Sequence, residues 1–410
     1  MAVVVPCIDR RSLVRLPREC YPFLEAIEEH LPVLRPAQQR GLVLWVYGTV
    51  LAQSGCLSAV VLALRPVFGG AAQHALRQML REWSLDGADK TLPGRHQVDV
   101  GLCFAPLLGW VLAWWHGETL ALAVDATALG KRLVVLSISV LYRGSAIPVA
   151  WCVLPGPGAG EWIPEITGLL AALVPAVPPA MTVLVLTDRG LWSPTLWRGI
   201  QALGWHPLLR IRPDATFAPT SGRRVRAVTL VPGPGHAWIG AGVAFRDRQK
   251  RLAATLLVVW EDGHEEPWIC LTDLAPEAVG PAWYGLRVWV ELGFRTLKSL
   301  GWHWERTRRT DPRRVARHWL VLAIATLWTV AVGTRDEDAE RWGREPARVR
   351  LVRSPAPGPF RRRVSVFRRG LTGLRWQLLR QRRLWRLLWL WPEPWPDPPP
   401  GLTVVVAMPP

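Results

Sequence analysis

Between residues 119 and 212 the spacing of apolar residues switches from helical to strand-like, and this stretch constrains the fold more than any other part of the chain. LALAVDAT (120–127), RLVVLSISVLY (132–142) and AIPVAWCVL (146–154) are β-rich runs, separated by turn signals at Gly130-Lys131 and Arg143-Gly144. A helical pattern follows at about 161–175, then the apolar strand TVLVLTD (182–188), a helix over 193–203 and a strand HPLLRIR (206–212). Three hairpin strands followed by alternating helix and strand predict an α/β fold, a mixed sheet with helices packed on it.

The flanks read differently. Residues 1–118 show helical spacing over 22–31, 37–64, 71–84 and 99–115, with Pro or Gly between them. Residues 214–274 return to short strands with Gly/Pro turns (VRAVTLV, HAWIGAGVAF, LAATLLVVW, EPWICLTDL). Helical spacing resumes at Tyr284 and again over 312–333. The tail is Arg-rich from 335, with an amphipathic stretch over 371–391 that repeats Leu374, Leu378, Trp385 and Leu388 on one side. The expected organisation is a helical N-terminal region (1–115), a sheet core (116–213 with 275–335), a β-rich insertion (214–274) and an Arg-rich C-terminal region (336–410).

Two aspartates end apolar strands, Asp125 after LALAV and Asp188 after TVLVLT. Open α/β sheets bind ligands beyond the carboxyl ends of their parallel strands, although a lone Asp there often only caps a turn. Further on, YGLRVWVELGFRTLK (284–298) carries Tyr-x2-Arg-x3-Glu-x6-Lys. On one α-helix Tyr284, Arg287, Glu291 and Lys298 would fall within roughly 60° of each other, opposite an apolar side of Leu286, Trp289, Val290, Gly293, Leu297 and Leu300. Such an edge is either solvated, with an i,i+4 Arg–Glu pair, or a carboxylate among phosphate-holding cations. Three carboxylates brought together can hold two Mg²⁺ ions for in-line phosphoryl transfer. Arg210 and Arg212, at the end of a strand, are candidates to line a channel for a polyanion.

The charge balance agrees with an anionic partner. Formal net charge is +18 and the pI about 11.0, which suits nucleic acid or an anionic surface. Nearly all the excess is arginine, with four lysines and no asparagine, a pattern of GC-rich coding. Six cysteines are scattered without metal-ligand spacing and read as reduced core residues. Trp319–Val332, about 14 apolar residues, is shorter than a span, and Gly41–Leu64 is interrupted by Gln53, Ser54, Gly55 and Ser58. Both are expected to be buried helices. No secretory signal is read at the start of the chain, so a cytoplasmic location without membrane contact is expected.

The strand-end aspartates in AVDAT and LTDRG, together with the Tyr284/Arg287/Glu291/Lys298 signature, resemble DDE transposases of the insertion-sequence-four type, the family of the Tn-five transposase. The resemblance covers roughly 115–335. It implies a ribonuclease H-like catalytic core with a β-strand insertion, a catalytic and metal-binding triad of Asp125, Asp188 and Glu291, and phosphate contacts from Tyr284, Arg287 and Lys298. It also implies Mg²⁺ (with Mn²⁺ as a substitute), transposon-end and target DNA as partners, and a homodimer on paired ends of a bacterial element, with 336–410 a candidate for dimerisation. In relatives a tryptophan of the insertion stacks on a flipped base; Trp238, Trp260 and Trp268 are candidates here. Two other activities fit the same residues: a ribonuclease H-like nuclease without strand transfer, and a catalytically silent, transposase-derived DNA-binding protein.

Overall fold

The computed structural model describes residues 16–69, 73–91, 96–156, 161–342, 362–380, 382 and 388–407. In chain order the elements begin with five helices: α1 (Tyr21–His30), α2 (Pro36–Ala52), α3 (Leu57–Phe68), α4 (Gln73–Trp83) and α5 (Phe104–Ala113). Then come β1 (Thr119–Leu129), β2 (Leu133–Tyr142), β3 (Ser145–Pro155), α6 (Trp162–Leu173), β4 (Thr182–Thr187), α7 (Pro194–Ala202) and β5 (His206–Arg210). The strands β6 (Thr216–Pro219), β7 (Val225–Arg226), β8 (His236–Ala244), β9 (Leu252–Trp260) and β10 (Trp268–Thr272) follow. The chain closes with α8 (Val288–Arg295), α9 (Pro312–Trp342), α10 (Val366–Leu379) and β11 (Thr403–Ala407). These elements form two compact units: Met1–His116 with Gly293–Trp391, and Gly117–Leu292 with Pro392–Pro410.

In the sheet unit the strand order is β3-β2-β1-β4-β5-β10-β9-β8-β6-β7, with β11 added beside β8. The first five strands have the ribonuclease H-like arrangement: β1, β4 and β5 are parallel neighbours, and β2 runs antiparallel between β1 and β3. β2 is buried along its whole length, as a Val/Leu/Ile run covered on both faces should be. α6 packs on β2 and β3, and α7 on β5. The β-rich insertion continues this same sheet, because β10 pairs antiparallel with β5 through Leu208–Arg210 and Thr272–Cys270. β8 shares one edge between two partners. Its first half, His236–Gly240, pairs with β11, and Gly242–Ala244 pairs with β6.

The other unit is helical. α9 is long and apolar enough to cross a membrane by length and composition, yet its apolar window is buried inside the protein, as expected for 319–332. Its buried Arg317 is satisfied by the carbonyl oxygens of Val98 and Ser84, each at 3.0 Å, and by Asp86. α9 and α10 cross at glycines: a Cβ on Gly370 would run into the Thr329 carbonyl oxygen, and one on Gly333 into that of Val366.

Several expectations need correcting. The 37–64 helix is two helices bent by 94°, because Gln53 turns left-handed (φ 49°) and Gly55 N–H leaves the helix to donate to Trp302 O at 2.6 Å. VRAVTLV is a strand only at Val225–Arg226 and then a 3₁₀ turn, while β6 and β11 were not anticipated. The 312–333 helix runs on to 342 and lies in the helical unit. On the expected contact stretch 371–391, Leu374 and Leu378 are buried, and α10 packs against α9 of the same chain; Trp385 lies outside the described residues.

Candidate active site

β1 and β4 lie side by side and parallel, their register ending at Val124↔Thr187. The next residues, Asp125 and Asp188, therefore stand side by side where this parallel pairing ends; β4 stops there, while β1 runs on against β2 to Leu129. Each is aimed by backbone amides. Asp125 Oδ1 accepts from the Ala126 N–H at 2.7 Å, and Asp188 Oδ1 accepts from Gly190 N–H (3.0 Å) and Leu191 N–H (3.1 Å), capping a 3₁₀ turn at Arg189–Leu191. With Oδ1 held in both, the two Oδ2 atoms are left to point the same way.

The segment 284–298 is not one helix. It is a 3₁₀ turn (Trp283–Arg287), then α8, then a π turn (Thr296–Leu300) in which Lys298 leaves helical geometry (ψ −114°). Leu286, Val290, Gly293 and Leu297 are buried as expected, but Leu300 is exposed. The first break has a visible cause. Tyr284 is 5% exposed, its ring lies edge-on to Trp268 of β10 (centroids 5.4 Å apart), and its hydroxyl donates to Thr187 O at 3.1 Å. This fastening fixes the turn that delivers Arg287 and the helix that delivers Glu291.

Arg287 is where the three carboxylates meet. Its Nη2 is 2.8 Å from Asp125 Oδ2 and 3.9 Å from Asp188 Oδ2, and its Nη1 is 3.2 Å from Glu291 Oε1. The side chains of Arg287 and Asp125 are 14% and 13% exposed, those of Asp188 and Glu291 40% and 58%. Burial pushes the Asp125 carboxyl above the usual carboxylate range. Arg287 and the Ala126 amide oppose this, whereas Asp188 and Glu291 add to it. Burial works against the Arg287 charge, but the surrounding carboxylates outweigh it and hold the guanidinium above its ordinary value. Burial also pushes the Tyr284 phenol up, so it stays neutral.

The donor set suits a hard divalent cation: carboxylate oxygens from within β1, from just after β4 and from one helix, each aspartate with one oxygen pre-oriented. As the side chains stand, no three His, Cys, Asp or Glu groups among the described residues enclose one ion, because the guanidinium lies between these three.

The remaining candidates are spread out. Arg210 donates to Glu266 Oε1 at 2.6 Å, and Arg189, next to Asp188, reaches the same carboxylate at 3.3 Å. Arg212 is exposed beyond β5. Lys298 belongs to the helical unit, where partial burial lowers its pKa against the pull of Glu305. Of the insertion tryptophans, Trp238 is buried, Trp260 donates to His264 O, and Trp268 packs on Tyr284.

Two features were missed from the sequence. Trp192, at the end of the Asp188 turn, packs its ring against Phe245 at 5.2 Å. Phe245 opens a basic tip, Arg246, Arg248, Lys250 and Arg251 between β8 and β9, to which Arg224 is tied through Val243 O and Phe245 O. Arg223 and Arg226 stand beside it in the β6–β7 hairpin. The clusters SGRRVR and RDRQKR were the signal for it.

Residues 164–328 match the transposase DDE domain family. The match supports a DDE transposase. It takes in Asp188, Tyr284, Arg287, Glu291 and Lys298, and begins downstream of Asp125. No curated protein matches the chain significantly. Among solved structures it is similar to a piggyBac transposase synaptic complex with hairpin DNA, at 10% identity and a TM-score of 0.44, covering 90% of this chain and 80% of that one.

Proposed function

We propose that the chain is a metal-dependent DNA transposase of the insertion-sequence-four type, which cuts the ends of its own element and joins them to target DNA. The observation that carries this reading is the meeting of Asp125, Asp188 and Glu291 around one guanidinium where the parallel β1–β4 pairing ends. Two Mg²⁺ ions held by these carboxylates, with Mn²⁺ as a substitute, would supply an activated water or 3′-hydroxyl and stabilise the leaving oxygen. Asp125 and Asp188 are already aimed by the amides of Ala126, Gly190 and Leu191, so little orientation remains to be gained when they act.

Tyr284 serves by anchoring Arg287 and Glu291 to the end of β4. Arg287, Lys298 and exposed Arg212 are the phosphate contacts in this reading, and Arg210 is held back by Glu266. His74, Arg77 and Arg81, which share an exposed side of α4, would meet transposon-end DNA. The chain would act in the cytoplasm, away from membranes, as a homodimer on paired ends. Since Leu374 and Leu378 are occupied within the chain, exposed Trp376 and Leu379 are what α10 retains for such a contact.

The deciding experiment incubates the purified protein with duplexes carrying the element's ends and a supercoiled target, in Mg²⁺ and in EDTA. Mg²⁺-dependent cutting with end-joined products is expected. Cutting without joining would make it a nuclease, and DNA binding without cutting a silent relative.

A further inference from the structure

Arg287 has more acceptors than it can keep once a cation is bound. It faces Asp125 Oδ2, Asp188 Oδ2 and Glu291 Oε1 at 2.8, 3.9 and 3.2 Å, while its own Nε is buried without a hydrogen-bond partner. The Oδ1 atoms of both aspartates are already engaged by backbone amides, which leaves the Oδ2 atoms beside the guanidinium as their readiest ligands. A hard divalent cation draws carboxylate oxygens to about 2.0–2.6 Å and keeps waters of its own. The oxygens that hold the guanidinium are the ones a cation needs. Arg287 and a metal ion therefore compete for the same atoms.

Something must release the guanidinium for the site to load, and its planar fork matches a phosphate as well as a carboxylate. We propose that Arg287 is an internal counter-ion that holds the site closed to metal until a DNA phosphate draws it away, so that metal and DNA bind with positive coupling. This rests on the reading of the three carboxylates as metal ligands. The coupling is reciprocal: DNA strengthens metal binding by the factor by which metal strengthens DNA binding. In free protein the pairing also spares Asp125 and Glu291 an uncompensated approach of like charges, which explains why a basic residue sits so deep in the site.

The test measures Mn²⁺ binding to the full chain from the free-ion EPR signal, with and without a short DNA duplex. Asp188→Asn protein is carried in parallel, so that the difference isolates this site from metal bound by DNA. The expected result is that duplex tightens Mn²⁺ binding of the unsubstituted protein about tenfold, within the ordinary range of coupling. Arg287→Gln should bind Mn²⁺ as tightly without DNA as the unsubstituted protein does with it, and gain little from duplex. If Mn²⁺ binding that depends on Asp188 is equally strong with and without duplex, the counter-ion role is wrong and the metal site stands. Weaker binding by Arg287→Gln would likewise overturn it, showing that the guanidinium positions the carboxylates. Should no condition distinguish Asp188→Asn from unsubstituted protein, the metal reading itself fails. The comparison with and without duplex needs no variant of Arg287, so it can overturn the proposal even if Arg287→Gln does not fold.

Discussion

The hydroxyl of Tyr284 donates to the carbonyl oxygen of Thr187, 3.1 Å away, and Thr187 is the residue before Asp188. One hydrogen bond thus joins the end of β4 to the turn that carries Arg287. Tyr284→Phe keeps the ring against Trp268 and removes only this bond. It is expected to lower stability by about 1–2 kcal/mol, the cost of a buried acceptor left unpaired. DNA cleavage should fall while affinity for end DNA changes little. A loss of affinity with cleavage per bound complex unchanged would instead make Tyr284 a DNA contact.

Asp125→Ala, Asp188→Ala and Glu291→Ala should each abolish Mg²⁺-dependent cleavage, because a two-metal site missing one carboxylate loses both nucleophile generation and leaving-group stabilisation. Gel assays of cutting, beside circular dichroism to confirm folding, check this. Cleavage at the unsubstituted rate by any one variant removes that residue from the triad.

The raised pKa of Asp125 makes a prediction with a definite sign. A carboxyl whose folded-state pKa lies above its unfolded value binds more protons in the folded protein, so its contribution is fully favourable below about pH 4 and is lost as pH rises through the folded value. Asp125→Asn removes that penalty and can still accept from Arg287. Its melting temperature should exceed that of the unsubstituted protein at pH 7, and the gap should close as pH falls toward 4. A gap that is constant across this range would mean that Asp125 does not titrate differently in the two states.

The basic tip offers a separate measure of DNA binding. Arg246 and Arg248 are exposed and have no carboxylate partner among the described residues. Replacing both with Ala should reduce the slope of log affinity for duplex DNA against log salt by about two, one for each phosphate that is no longer neutralised. An unchanged slope means that the tip faces solvent in the complex.

The crossing of α9 and α10 has no room for a side chain. Gly370→Ala is expected to destabilise the helical unit by about 3 kcal/mol or more, at the upper end of ordinary overpacking, since the obstacle is the Thr329 backbone and cannot rotate away. Thermal unfolding measures it. Gly373→Ala, at a position whose nearest atom is a Val332 methyl at 3.5 Å, serves as the tolerated control.

Taken alone, the sequence located most strands and helices of the core and proposed three acidic residues that the structure brings around Arg287. LALAV and TVLVLT read as strands because burial on both faces demands an unbroken apolar run, and the Asp just beyond each run falls where the parallel β1–β4 pairing ends. That logic is local, so it survives folding. Residue spacing over 284–298 failed because it assumes an undisturbed helix, whereas the Tyr284–Thr187 bond tightens one end and Lys298 leaves helical geometry at the other. β11 was illegible for a related reason: TVVVA becomes a strand only because β8 leaves an edge open to it. The leucines of α10 read as a contact face, which they are, but Gly333 and Gly370 let the same chain occupy it. The pairing that defines the site, Arg287 with Asp125, joins residues 162 apart. Local periodicity cannot report such a pairing; it forms only when the β1–β4 register and the anchored turn place charges from separate segments within ångströms of each other.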